Sequence, residues 1–336
     1  MNKEQLNQKK VYQSIELLTA QIEQGWQLTA EVKLPQHYKG FDNIVVCGMG
    51  GSNIGYHLVR SVLGNQLKLP VIINAEYNLP AFVNKKSLII LSSYSGDTEE
   101  VVNCAQQVVK RRLKGLIVTT GGKLAKLVDK KIPGIVLPTD FNPSNEPRWG
   151  LGYSIGAFLN LLSRLTSVFK ESQLLIANKS VSDSKLIQGL AKKLAGKQVL
   201  IVAAEHLQGN AHILTNQLNE SADNLAFWLS LPELDHHFLE ALSFPKDLAQ
   251  KKIAVLFLTS FNYSPVIAKR VKITAQVFKK QGLQVEFLEV NTDFELQDSL
   301  STLQLGSYLC YHISVVNKVD PIAIPWVYFF KREMKK

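Results

Sequence analysis

Leu91-Ser92-Ser93-Tyr94-Ser95-Gly96-Asp97-Thr98-Glu99-Glu100 carries the chain from an apolar run that ends at Leu91 into a helical pattern that begins at Thr98. A strand that stops at a hydroxyl-rich turn and feeds a helix brings hydroxyls, free backbone N–H groups and the positive end of a helix dipole to one point, which suits a phosphate dianion. An ordinary capped turn explains the same residues, because Thr98 followed by two acids also starts a helix well. On either reading the segment is strand, turn and helix in sequence, the repeating unit of an α/β fold.

The same unit recurs on both sides of it. Apolar strands are expected at Asn43 to Cys47, Val71 to Asn74, Leu88 to Leu91, Leu116 to Thr119 and Ile135 to Leu137, with helices at about Ile54 to Leu63, Thr98 to Arg112, Lys123 to Val128 and Gly152 to Phe169. The second half repeats the alternation: strands at Val199 to Ala203, Leu225 to Leu229, Ile253 to Leu258 and Gln284 to Leu288, and helices at Leu207 to Ala222, Pro265 to Gln281, Glu295 to Asn317 and Pro321 to Lys331. Continuous apolar strands alternating with helices predict parallel sheets covered on both faces, hence an α/β fold of two three-layer domains. Residues 1–36 form an N-terminal helix, read over 3 to 28 from Leu6, Val11, Ile15, Leu18, Ile22 and Trp26. Residues 37–170 form the first domain, the polar and turn-rich 171–196 a linker, and 197–336 the second domain. Similar size and order suggest duplication, without a visible residue-level repeat.

Composition narrows the function classes. Of 336 residues, 46% are hydrophobic and 20% charged, as expected of a globular chain and not of a disordered one. No stretch approaches the roughly 18 consecutive apolar residues of a membrane helix, and Met1 to Lys10 is polar, so a cytoplasmic protein without membrane attachment is expected. Cys47, Cys104 and Cys310 are distant in sequence and lie in apolar patterns, which suits small buried residues and not a disulfide or zinc framework. The net charge of +10 is spread over short groups such as Lys110-Arg111-Arg112 and Lys279-Lys280, mostly at helix ends. No basic stripe is interleaved with aromatics, so nucleic acid is not an expected partner, and attraction of anionic metabolites accounts for the charge.

Gly48-Met49-Gly50 invites a dinucleotide reading, with Glu76 at the end of the next strand as the ribose carboxylate. The third glycine of that motif would fall at 53, where Asn53 stands, so the helix lacks the residue that lets it pack closely on the strand. What survives is a second small anion cradle, in which Gly50 and Gly51 admit a close approach and Ser52 adds a hydroxyl.

Two cradles in this order resemble the SIS (sugar isomerase) domain, with its Ser/Thr phosphate loop on a flavodoxin-like sheet. CGMGGSNIG (47–55), AEYNLP (75–80), LSSYSGDTEE (91–100), TTGGKL (119–124), EPRWGLGY (146–153), LNESADN (218–224), LPELDHH (231–237) and VDPIAIPWVYFFK (319–331) resemble, collinearly, successive blocks of the bifunctional phosphoglucose/phosphomannose isomerase family. The resemblance implies two SIS-type domains and an enzyme that interconverts glucose 6-phosphate and fructose 6-phosphate, and mannose 6-phosphate as well. It implies phosphate binding by Gly51, Ser52, Ser93, Ser95 and Thr98, enediolate stabilisation by Arg148, Glu220 as the base, His236 as the ring-opening acid and Lys331 as a C-terminal catalytic lysine. It also implies a homodimer in which His236 crosses from the neighbouring subunit, and chemistry with no cofactor and no metal; His206, His212, His236 and His237 do not form a zinc motif.

These residue types match what aldose–ketose isomerisation needs. His and Lys shuttle protons during ring opening, a desolvated carboxylate removes the carbon-bound proton, and a cation opposes the charge that develops only in the enediolate. Two positions depart from the family's pattern. Asp97 puts a carboxylate in the phosphate loop, where it either caps a helix or weakens binding, and Ile322, Ala323 and Ile324 supply no hydroxyl of the kind linked to mannose activity. The rival readings are a non-catalytic sugar-phosphate sensor and an isomerase or transferase of amino sugars.

Overall fold

A computed structural model describes residues 3–336 except 39, 167, 242, 243, 245–250 and 335. In chain order its elements are α1 (Lys3–Glu16), α2 (Leu18–Glu31), β1 (Asn43–Cys47), α3 (Gly51–Leu63), β2 (Val71–Asn74), β3 (Ser87–Ser93), α4 (Glu99–Arg111), β4 (Lys114–Thr119), α5 (Gly122–Ala125), β5 (Gly134–Val136) and α6 (Leu151–Thr166). Then follow α7 (Glu171–Ala177), α8 (Lys185–Leu194), β6 (Gln198–Ala204), α9 (Gln208–Ser221), β7 (Ala226–Leu231), β8 (Ile253–Ser260), α10 (Pro265–Lys280), β9 (Gln284–Val290), α11 (Glu295–Asn317) and α12 (Pro325–Glu333). Among the described residues no helix is long and apolar enough to cross a membrane.

The strands form two parallel sheets, in the orders β2-β1-β3-β4-β5 and β7-β6-β8-β9. The inner strands read as the apolar runs expected of doubly covered strands, and β3 is buried at every position, whereas the edge strand β9 carries glutamates and is largely half-buried or exposed. In the first sheet Val45 pairs with Ile72 on one side and Ile89 on the other. In the second, Ile201 pairs with Trp228 and with Leu256. Because all strands are parallel, the loops after β1 and β3 lie at one edge of the first sheet, and those after β6 and β8 at one edge of the second.

The expected single N-terminal helix is two helices, broken at Leu17. The reason is a change of core. Val11 and Ile15 on α1 pack with the second sheet, whereas Leu18, Ile22 and Trp26 on α2 pack with the first. Gln21 bridges the break by donating to the carbonyls of Ser14 and Trp149, both at 3.0 Å. The segment 171–196, read as a turn-rich linker, carries two helices: Leu174 and Ala177 of α7 join the first core, and Ile187, Leu190, Ala191 and Leu194 of α8 join the second.

The two sheets are clamped by shared helices. At about 1.5 Å per residue, the 23-residue α11 is long enough to serve both cores, with Leu296, Leu300 and Leu303 in the first and Tyr308, Leu309, Cys310 and Ile313 in the second. Elsewhere helices meet at backbone distance through glycine. A Cβ on Gly156 of α6 would stand 2.0 Å from the Ile22 carbonyl oxygen of α2, and one on Gly209 of α9 would stand 2.5 Å from the Leu58 Cα of α3. Where α3 meets α9, the His57 and His212 rings contact edge to face at 4.6 Å.

Two stability predictions follow from this packing. Gly156→Ala drives a methyl into a backbone carbonyl that has no rotamer to escape through, so a loss of about 1–3 kcal/mol is expected, seen as a lower urea midpoint at unchanged slope. Burial, the neighbouring His212 and Arg60 lower His57 from its ordinary 6.5 to about 4. A histidine lowered in the folded state binds fewer protons there, so its contribution is intact above pH 6.5 and is lost as pH falls toward 4. After discounting for the ring's partial solvent contact, His57→Gln should remove about 2 kcal/mol of the stability lost between pH 7 and pH 4. An unchanged acid limb in the variant would refute this.

Candidate active site

The loops after β1 and β3 are joined into one cradle at the edge of the first sheet. Ser92 Oγ donates to the Ser52 carbonyl at 2.7 Å, and the Tyr94 N–H donates to Ser52 Oγ at 2.8 Å. Ser93 Oγ and Thr98 Oγ1 are 2.8 Å apart, and Ser93 Oγ also accepts the Gly96 N–H at 3.1 Å. Ser95 is exposed on the outer turn, its Oγ accepting the Asp97 N–H. Gly96, at φ +73°, has no room for a side chain, since a Cβ would stand 1.8 Å from the Gly121 carbonyl oxygen. Helices α3 and α4 start from these loops, so their N-terminal N–H groups face the same edge.

Asp97 does not turn into the cradle's hydroxyls. Its Oδ1 accepts the Lys123 N–H at 3.1 Å at the start of α5, so the departure from the family's pattern serves a cap on the neighbouring loop. The dinucleotide reading also fails on geometry, because Asn53 Nδ2 donates to the Gly48 carbonyl at 2.7 Å and fills the space that a third glycine would leave.

Arg148 sits directly behind the cradle. A Cβ on Gly51 would stand 2.9 Å from the Arg148 backbone nitrogen and from the Pro147 carbonyl carbon, so glycine at 51 is what lets the first cradle meet the Pro147–Trp149 turn. The Arg148 side chain is buried, and its donors are nearly all assigned. Nε donates to Ser221 Oγ at 2.6 Å, Nη1 to Glu146 Oε2 at 2.8 Å, and Nη2 to the carbonyls of Pro321 and Ile322 at 3.0 and 3.1 Å. Glu220, on the last turn of α9, places Oε2 3.7 Å from the same Nη1 and keeps 38% of its side chain open to solvent. The guanidinium thus joins the first sheet's edge, the end of α9 and the chain after α11 at a single point.

Glu146, Ser221 and Gln217, whose amide donates to the Arg148 carbonyl, were not singled out from sequence. Glu146 was visible in the Glu-Pro-Arg block, two residues before the arginine it pairs with. Burial raises its carboxyl above the ordinary value, with Glu220 adding to the rise and Arg148 and Lys331 opposing it. Lys331, exposed near the end of α12, is therefore within electrostatic range of the cluster.

His236 is not brought to this cluster within the chain. It is exposed at the end of the short Glu233–His236 turn, which follows β7, whereas Glu220 precedes β7. The strand's length, roughly 16–20 Å at its rise per residue, separates the two. His237, beside it, packs edge-on to Phe238. Among the described residues no three His, Cys, Asp or Glu side chains gather in a way that could hold a metal ion.

With this geometry in hand, comparison with known proteins is informative. Residues 184–334 match the bacterial phospho-glucose isomerase C-terminal SIS domain. Over nearly its whole length the chain is similar to bifunctional phosphoglucose/phosphomannose isomerases. The one from Caldicellulosiruptor bescii is 27% identical, over 96% of this chain and 98% of its own, and that from Aquifex aeolicus is 26% identical, over 97% and 99%. Among solved structures, the C-terminal domain of glucosamine-fructose-6-phosphate aminotransferase from Francisella tularensis superposes with a TM-score of 0.69 at 13% identity, covering 96% of this chain and 98% of that one. The two isomerase relatives extend the resemblance read from the motifs to nearly the full chain, and the solved structure supports the fold alone.

The raised carboxyl of Glu146 gives a test with a definite sign. Such a group stabilises the fold fully only below its unfolded value, and that contribution is lost as pH rises. Glu146→Gln, which keeps the shape and an acceptor for Arg148, is expected to match or exceed the wild type in urea at pH 7, with the advantage gone at pH 4. A marked loss of stability at pH 7 would show instead that the charge is required to hold Arg148.

Proposed function

We propose that the chain is an aldose–ketose isomerase of sugar 6-phosphates. It interconverts glucose 6-phosphate and fructose 6-phosphate, and mannose 6-phosphate as well, through a cis-enediolate. One observation carries the proposal: a buried guanidinium that abuts the anion cradle through Gly51 and has the half-open Glu220 carboxylate 3.7 Å from Nη1. A carboxylate able to reach substrate beside a fixed cation is what proton abstraction next to a carbonyl requires.

In this mechanism Gly51, Ser52, Ser93, Ser95 and Thr98 hold the phosphate, with the N-termini of α3 and α4 adding their N–H groups. The phosphate is remote from the reacting carbons and fixes their position. Glu220 takes the proton from C2 of the open-chain aldose as the C1 carbonyl oxygen becomes an enediolate oxygen, then returns it to C1 while the C2 hydroxyl proton passes to O1 and the C2 carbonyl forms. Arg148 opposes the negative charge on those oxygens. Because its other donors are held by Ser221, Glu146 and two carbonyls, it need not reorganise during the reaction. Glucose 6-phosphate and mannose 6-phosphate differ only at C2 and give the same enediolate, so both fit one base if C2 can present either face.

Ring opening falls to Lys331 and to His236 of a second copy. Two features support the homodimer. The length of β7 keeps a chain's own His236 from its Glu220, and none of the residues of α12 is buried, although Trp326, Tyr328, Phe329 and Phe330 are at least half exposed. An apolar helix of this kind is stabilised by a covering partner.

Glu220→Gln should lower kcat by roughly 10²–10⁴-fold with little change in KM. Near wild-type turnover would remove Glu220 as the base. Mixing Glu220→Gln with His236→Ala protein under exchange conditions should restore part of the activity, and no recovery would refute the shared site. A coupled assay with glucose, mannose and glucosamine 6-phosphates decides the substrate class, and turnover of the amino sugar alone would overturn the proposal.

A further inference from the structure

The edge of the second sheet repeats the construction of the first. β8 stands beside β6 as β3 stands beside β1, third in each strand order. Leu258-Thr259-Ser260-Phe261 ends β8 as Leu91-Ser92-Ser93-Tyr94 ends β3, the same pattern of Leu, hydroxyl, Ser and aromatic ring. Ser260 Oγ accepts a loop N–H, from Asn262 at 2.8 Å, as Ser93 Oγ accepts that of Gly96. Each loop then reaches a hydroxyl residue, Ser264 or Thr98, immediately before its helix. Even the turn after the neighbouring strand matches in hand: Gly50 has φ +48° and Glu205 has φ +44°, a conformation unusual for a residue with a side chain.

The two edges differ in what their donors hold. In the second sheet the donors are satisfied by the chain's own carboxylates. Glu205 accepts the Ser264 N–H at 3.0 Å and the Ser264 hydroxyl at 2.6 Å, at the N-terminus of α10. Asp298 accepts from Ser260 at 2.5 Å, Asn262 at 2.8 Å and Thr292 at 2.7 Å, with His206 Nε2 at 3.3 Å. Burial opposes the charge of Asp298, yet these four partners keep its carboxyl below the ordinary value. Above them opens a cleft of about 890 Å³, with Arg60, Glu205, His206, Trp228, Asn262 and Ser264 in its lining. His206 is 2% exposed, and its Nδ1 has no hydrogen-bond partner.

We propose that this cleft is a second phosphate-monoester site held closed from within, with the carboxylates of Glu205 and Asp298 standing in for the anion and Glu205 as the displaceable plug. Asp298 is completely buried and holds the loop together. Glu205 is only partly buried, and its bonds to Ser264 occupy the helix N–H and hydroxyl that a phosphate would use. The consequence is that phosphate binds at the first sheet alone. Removing the plug would free Ser264 and the start of α10 in a cleft also lined by Arg60 and by His206, whose Nδ1 has no partner, a set of donors suited to a phosphate oxygen.

Trp228 lines this cleft and reports on it separately from the first sheet, so the test stands apart from the isomerase proposal. Inorganic phosphate is titrated into the full-length wild type and Glu205→Ala, with intrinsic fluorescence recorded and the Trp228→Phe versions subtracted. Glu205→Ala should show a saturable Trp228 response at phosphate concentrations at least roughly tenfold below any response of the wild type. Glu205→Gln, which keeps an acceptor but loses the charge, should fall between them and serves if the alanine variant does not fold. The inference is overturned if the wild type responds as readily as the variants, or if folded Glu205→Ala and Glu205→Gln both remain silent.

Discussion

The buried guanidinium of Arg148 is the constraint on which the rest of the arrangement depends. Its cation can remain out of water only because oxygen acceptors surround it, and those acceptors come from three separated parts of the chain: Glu146 beside it, Ser221 at the end of α9, and the Pro321 and Ile322 carbonyls after α11. Losing any one would leave a charged donor unsatisfied in a dry site, which costs far more than an exposed ion pair gains. The same contacts fix where α9 ends and where the chain turns toward α12. Glu220, 3.7 Å from Arg148 Nη1, is thereby placed beside the cradle by the packing of a single side chain.

That placement holds only if the two sheets are fixed relative to one another, and the long helices do this. Helix α11 contributes to both cores, α1 and α2 divide between them, and α9 meets α3 at the backbone distance allowed by Gly209. An interface made by shared helices and glycine contacts cannot slide without exposing core residues. The loops at the sheet edge are held in turn by hydroxyl-to-backbone bonds between neighbouring loops, as from Ser92 to Ser52 and from Thr120 to Tyr94. The cradle is consequently held in shape by the chain's own hydrogen bonds.

Strand and helix positions were legible because burial on both faces leaves an uninterrupted apolar run, and the sequence reading of Asn43–Cys47, Val71–Asn74 and Glu295–Asn317 agrees with the structure to the residue. The break at Leu17 was not legible. The apolar spacing continues smoothly through it, and the division of α1 and α2 between two cores shows only in the structure. Glu146 was hidden for a related reason: its significance lies in sharing Arg148 Nη1 with Glu220, which is distant in sequence. The relation between the two sheet edges was equally obscure, since four residues of similar type, Leu91 to Tyr94 and Leu258 to Phe261, form a signal only once β3 and β8 are seen in matching places.

The two edges share a construction and differ in what satisfies it. Both use a serine at the end of the strand, a short loop and a hydroxyl before the helix, and both present the positive end of a helix dipole. Positive ends and free N–H groups must be satisfied by something, whether water, ligand or a side chain. In the first sheet the loop's own carboxylate, Asp97, is turned to α5, and the hydroxyls of Ser93 and Thr98 bond to one another. In the second, Glu205 and Asp298 reach inward. A carboxylate satisfies such donors at lower charge than a phosphate and, being tethered, at no cost in translational freedom. On the proposed reading, the direction taken by a few acidic side chains decides which edge is available to a charged substrate and which becomes part of the scaffold.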